Sequence, residues 1–245
     1  MKIVINQSRI EMIRVLRNPY YLFWSLAMPI VFYIVFTKIF DVETADKEVW
    51  AAHYLMSMTV FSVMGSSIMT MGIRLVEERS QGWTRYMRVT PLSDFQYFSA
   101  KMFGQTVVHV CSIVVIFTAG ILFNGVRLSI FEWLFSASWI LLASLPFLAI
   151  GSLVGTMKRV DTAIGISNVL YLLLAVTGGL WMPIDVLPKV MQNISMWLPA
   201  YHFGNGAWEI VRGQLPELQN ILILVGYLVV FMVLSMYIRR KQDVV

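Results

Sequence analysis

Six stretches of this chain, residues 20–40, 51–73, 102–123, 133–154, 163–180 and 221–238, are apolar runs long enough to cross a bilayer, whose hydrocarbon core takes roughly 20 residues of helix. The last five contain no Asp, Glu, Lys or Arg, and the first contains only Lys38, close enough to its end to reach the headgroups. Hydrocarbon offers no partner to a backbone N–H or C=O, so each stretch is expected to be a helix. The alternating segments of about 10 residues that mark a membrane β-barrel are absent. The expectation is an all-α, polytopic membrane protein with a single transmembrane domain over residues 1–245. Composition agrees. Of the residues, 58% are hydrophobic and 13% charged, whereas a soluble domain carries about 25% charged residues to cover its wet surface.

The net charge of +5 is explained by position rather than by nucleic acid. Lys2, Arg9, Arg14 and Arg17 precede the first run. Arg74, Arg79, Arg85, Arg88 and Lys101 follow the second, Lys158 and Arg159 the fourth, and Arg239, Arg240 and Lys241 the sixth. These 14 cations fall on one side of an up-and-down arrangement; Lys38, Lys47, Arg127, Lys189 and Arg212, five in all, fall on the other. The richer side is expected to be cytoplasmic, which puts both termini inside a multi-pass protein of the cell membrane. Nothing near the start reads as a cleaved signal. The single Cys111 allows no intrachain disulfide and no cysteine-built metal site.

Three connections carry more than a link. Residues 1–19 read as a pre-membrane helix. Ser8 and Glu11 have capping-box spacing, and Met12, Ile13, Val15 and Leu16 lie on a face apart from Arg14 and Arg17. The segment is expected to lie in the bilayer interface, or else simply to extend the first span. In the connection 74–101, Glu77, Glu78 and Arg79 prolong the second span and Gly82 interrupts it. Trp83, Tyr86 and Met87 then recur at helical spacing beside Arg85 and Arg88, and Pro91 ends the turn. Ser93 to Gln96 reads as a second capping box. Aromatic knobs among charges suit a protein-binding hot spot or an anchor at the membrane interface. The connection 181–220 carries Pro183, Pro188 and Pro199 yet stays apolar, which fits short helices that re-enter the outer leaflet or cap a cavity. Within it Glu209 and Arg212 are spaced to pair on one helix face.

No catalytic signature accompanies these elements. There is no Gly-Lys dipeptide and hence no Walker phosphate loop, no HExxH, no GxSxG and no Cys/His cluster. His109 reads as a helix-packing residue rather than a ligand. No acid sits within a span, where an ion-coupled pump places one, so the energy for any work is expected from elsewhere. Gly151 and Gly155 make a small-xxx-small pair, and Pro29 and Pro146 read as kinks. The methionines of the second run, Met64 among them, suit a permissive path or plain lipid contact. Ser67, Asn168 and Tyr171 bring polar groups into the runs and are candidates to line a path.

Taken together these elements resemble the permease subunit of ABC exporters of the second class, which move drugs, lipids or polysaccharides. The resemblance rests on the amphipathic start before six spans, on Glu77, Glu78, Gly82, Arg88, Pro91 and Lys101 around the second connection, and on the spaced prolines Pro183, Pro188 and Pro199. Trp83 departs from the family, which often has a small polar residue after the glycine. The resemblance implies that Glu77, Glu78, Gly82, Trp83, Arg85, Tyr86, Arg88 and Pro91 form a coupling helix docking on a separate ATPase subunit. It implies no cofactor on this chain, with ATP and Mg held by that partner, and an assembly of two permeases, as homodimer or heterodimer, with two ATPases. Pro183, Pro188, Pro199, Glu209 and Arg212 would then belong to an external gate or cap. A membrane sensor or scaffold binding a cytoplasmic partner through the same loop is the alternative.

Overall fold

The computed structural model describes residues 8–13, 17, 19–38, 47–83, 89 and 94–243, and the described residues are helical with no strand. Residues 8–13 form a short helix. The long elements are α1 (Pro19–Lys38), α2 (Lys47–Gly65), a π-helical turn (Ser66–Thr70), α3 (Met71–Ser80), α4 (Asp94–Asn124), α5 (Ile130–Ala143), α6 (Leu145–Val154), α7 (Val160–Thr177), α8 (Lys189–Ser195), α9 (Pro199–Val211) and α10 (Leu218–Asp243). Five of the described helices are long and apolar enough to cross a membrane: Lys47–Ser80, Ser99–Asn124, Ile130–Val154, Val160–Thr177 and Leu218–Ile238. The first predicted run falls on α1, whose described stretch Leu26–Lys38 is apolar overall but shorter than the five spans.

The rod Lys47–Ser80 is the axis of the bundle. Its 34 residues span about 50 Å at 1.5 Å per residue, more than the ~30 Å of hydrocarbon. Its most apolar window is 83% buried, against 17% for Val160–Thr177 and 11% for Leu218–Ile238, which places those two on the outer rim of the bundle. α1, α4, α6, α7 and α9 all pack on this rod, and α10 packs on α6.

The π turn has a visible cause. A wider turn frees carbonyl groups and swells the helix. Ser66 and Ser67 return hydroxyl bonds to the Val63 carbonyl (3.0 and 2.7 Å), and Gln105 Nε2 donates to the freed Ser66 carbonyl (3.1 Å). Gly151 on α6 takes the swelling, since a Cβ there would lie 2.2 Å from the Ser67 carbonyl oxygen.

Local signals act as their chemistry requires. Gly82 ends α3 with φ +78°, and its N–H bonds the Arg79 carbonyl (3.1 Å), the usual glycine stop. The fourth predicted run is broken at Ser144, before Pro146, which has no N–H to continue the ladder; Phe147 and Leu148 both bond the Ser144 carbonyl. Pro29, by contrast, sits inside an unbroken α1. Ser129 and Glu132 form a capping box at the head of α5. The box expected at Ser93 lies outside the described residues.

Side-chain bonds sort the connections into two ends. Asn124 Nδ2 donates to Thr37 Oγ1 (2.9 Å), and Tyr54 Oη donates to the Trp181 carbonyl (2.6 Å). These join the segments after α1, α4 and α7 at one end. At the other, Arg79 donates to the Gly155 and Thr156 carbonyls, and Lys101 reaches Glu11. Residues 8–13 and the segments after α3 and α6 therefore share an end.

Candidate functional site

The foot of the second connection is built on a buried triad of charges. Lys101 Nζ lies 2.7 Å from Glu78 Oε1 on α3 and 3.2 Å from Glu11 Oε1 in the helix at residues 8–13. Tyr97 Oη donates to the other Glu78 oxygen, and the ammonium stands 5.0 Å from the Tyr97 ring centroid. Glu11, Glu78 and Lys101 are each no more than 7% exposed. Charges taken this far from water must be paired, and removing one partner of such a set costs about 3–5 kcal/mol. A small cavity beside the triad is lined by Glu11, Met71, Arg74, Lys101, Gly104 and Gln105.

Tyr97, Lys101, Gln105 and His109 recur every four residues and so form one polar stripe along α4. The stripe continues inward from the triad. Gln105 takes the Ser66 carbonyl, and His109 lies 3.1 Å from Ser67 Oγ and 3.4 Å from Ser144 Oγ. Here His109 packs helices through hydrogen bonds. Among the described residues no group of three or more His, Cys, Asp or Glu is gathered to hold a metal.

The predicted contact stretch divides in space. Glu77 is half-buried and Trp83 is 49% exposed just past the Gly82 stop. Glu78 faces the other way: its carboxylate is engaged inside the joint, not presented at a surface. Arg85, Tyr86, Arg88 and Pro91 lie outside the described residues. Residues 8–13, the described part of the expected pre-membrane helix, show two faces. Their buried face is polar, Ser8 and Glu11, while Ile10 and Ile13 are exposed and can face lipid.

The predicted path residues do not gather into one lining. Met64 and Ser67 are fully buried in the rod. Tyr171 crosses from α7 onto it, stacking on Phe61 at 4.6 Å and lying over Gly65, where a Cβ would come within 2.7 Å of its ring. Asn168 bonds the Ile164 carbonyl of its own helix (3.0 Å). Around Tyr171, an aromatic group of Phe32, Phe36, Tyr54, Phe61 and Trp181 fills the space between α1, the rod and the segment after α7.

In the connection 181–220 each proline begins a helix, as a residue with preset φ and no N–H does well. Pro183 precedes a 3₁₀ turn (Ile184–Val186), Pro188 precedes α8, and Pro199 opens α9. α9 is no surface cap; ten of its residues are buried against the rod, α5 and α10. The expected Glu209–Arg212 pair is replaced by a different arrangement. Glu209 accepts from Asn205 Nδ2, Asn220 Nδ2 and the Glu217 N–H, each at 2.9 Å, while Arg212 Nε donates to the Trp208 carbonyl (3.1 Å). A buried carboxylate takes amide donors where the turn into α10 brings them within reach, and Arg212 stays exposed.

The sequence marks Lys101 as a cation before a span and as part of the family-like pattern of the second connection, but not its partners. The signal was there: a period of four in polar residues running from a basic flank into an otherwise apolar helix.

Comparison with known proteins agrees with this architecture. A family model described as ABC-2 family transporter protein matches residues 38–237. YvfS of Bacillus subtilis (strain 168), which is named as a transport permease, is 60% identical over 245 residues, covering 100% of both chains. With the family model matching residues 38–237 and the relative matched along its whole length, the chain belongs to the ABC-2 transporter family as a membrane permease subunit.

Proposed function

We propose that the chain is the permease of an ATP-driven exporter, crossing the cell membrane six times with both termini in the cytoplasm. It forms the path for an amphiphilic or hydrophobic compound. Two copies, or one copy with a related permease, work with two ATPase subunits that hold ATP and Mg. Residues 82–91 are the coupling helix, with Trp83, Arg85, Tyr86 and Arg88 meeting the ATPase. The segment 181–220 forms the external gate or cap.

One observation carries this reading: the second connection springs from two helix feet locked together by Lys101 and Glu78, directly below the axis of the bundle. A push on such a connection is delivered to both helices at once. The absence of any Walker loop or acid within the spans leaves the energy source to a partner.

Reconstitution tests it. Inside-out vesicles bearing the chain and its ATPase should accumulate ethidium, an amphiphilic probe, or a related amphiphile, only with ATP. Movement at full rate without the ATPase would sink the reading. Trp83→Ala with Tyr86→Ala should leave the chain inserted in the membrane while lowering ATPase capture and ATP-dependent movement by about tenfold, as loss of two aromatic hot-spot residues implies. Unchanged capture would remove these two residues from the contact.

A further inference from the structure

We propose that the helix at residues 8–13 is a fixed arm of the coupling connection and that Lys101 is the residue that fixes it, so that the arm and the feet of α3 and α4 move as one body. This rests on the transport reading above.

The geometry requires three segments to meet at one ammonium. Lys101 belongs to α4, Glu78 to the last turn of α3, and Glu11 to the arm; the two ion pairs measure 2.7 and 3.2 Å. Tyr97, one turn earlier on α4, holds the second oxygen of Glu78 and so fixes its rotamer. One turn later, Gly104 lets the arm approach: a Cβ there would lie 3.0 Å from Glu11 Cβ and 3.7 Å from the Glu11 carbonyl carbon. The other side of the arm shows Ile10 and Ile13, 57% and 39% exposed, a face suited to the lipid interface.

A segment that served only to anchor the chain in the interface would need nothing but its apolar face. Burying three charges to hold it adds no stability over an apolar contact of the same size. What such a set supplies is registry, because an ammonium between two carboxylates accepts one arrangement of the three helices and penalises sliding. The arm is thereby tied to the two helices that receive the push of the ATPase, and Lys101 acts as a positioning residue for coupling.

The test uses the full chain with Cys111→Ala, in vesicles with its ATPase, reading ATP turnover of the complex relative to the free ATPase subunit. In this background Glu11→Cys with Gly104→Cys removes the Glu11 bond but allows a disulfide, whose Cβ atoms stand about 3.8 Å apart, close to the native approach. Reduced, the pair should lower the effect of the permease on turnover about fivefold or more, the low end of ordinary coupling. Oxidised, the same protein should return to within about twofold of the parent, since a covalent tie replaces the ionic one. Coupling that survives reduction means the arm is idle, and coupling lost on oxidation means the arm must detach; either result overturns the proposal. Lys101→Met should retain the ATPase on co-purification and lose the effect on turnover. Should that variant fail to fold, the redox pair decides alone, because it leaves Lys101 and Glu78 in place. A parent that captures no ATPase overturns the transport reading itself, and the arm's role with it.

Discussion

At the scale of single residues, the molecule is governed by a few places where backbone meets backbone or a charge is taken from water. Gly151 is the tightest of the former, with the Ser67 carbonyl of the π turn filling the space a side chain would need. Gly151→Ala must therefore push α6 off the rod or collapse the π turn, a misfit of the kind that costs about 1–3 kcal/mol. Thermal unfolding of the purified chain in detergent should show the loss; an unchanged midpoint would mean that the π turn is not wedged against α6. Glu209 is the counterpart of Lys101 at the other end of the bundle. Its carboxylate accepts three donors at 2.9 Å, and Glu209→Ala strands all of them, with an expected cost of about 1–3 kcal/mol or more. Arg212→Ala should cost little, since that side chain is exposed. Comparable losses for the two would restore the helix-face ion pair that the spacing suggests.

At the scale of elements, the parts legible in the sequence were those decided by local physics. Run length announced the helices because lipid tolerates nothing else. Gly82, Pro146 and the three prolines of 181–220 marked starts and stops because φ and the missing N–H act on the spot. What could not be read from spacing was which polar group meets which across space. Glu78 was grouped with its neighbours in the contact stretch, yet a helix turns 100° per residue, and Glu78 points inward while Glu77 stays half-buried. Glu209 and Arg212 have the spacing for a pair, but the Asn220 and Glu217 donors that displace it lie on another element. Likewise the prolines placed α9 among short re-entrant or capping helices, and only its fit against the rod, α5 and α10 makes it core. The polar stripe of α4 lies between these cases. Its period was visible, but its meaning depends on Glu11, 90 residues away in the chain.

At the scale of the whole molecule, two independent observations bear on orientation. Bonds between connections assign the segments after α3 and α6, with residues 8–13, to one end, and those after α1, α4 and α7 to the other. This sorting owes nothing to charge counts. The proposed orientation adds the distribution of Lys and Arg, 14 of 19 of which an up-and-down chain of six spans would put with the first end, the side that the positive-inside rule assigns to the cytoplasm. An even number of crossings follows if α1 spans, since residues 8–13 must then share a side with the segment after α6, as the Lys101 and Arg79 contacts require. Labelling of single cysteines in a Cys111→Ala background checks each step. Leu215→Cys, at a position 74% exposed, should react with a membrane-impermeant maleimide in intact cells. Lys158→Cys, also at an exposed position, should react only after permeabilisation. The reverse pattern would invert the molecule and place the joint at Lys101 beyond the reach of any cytoplasmic ATPase, so this pair of labels tests the orientation on which transport by this chain depends.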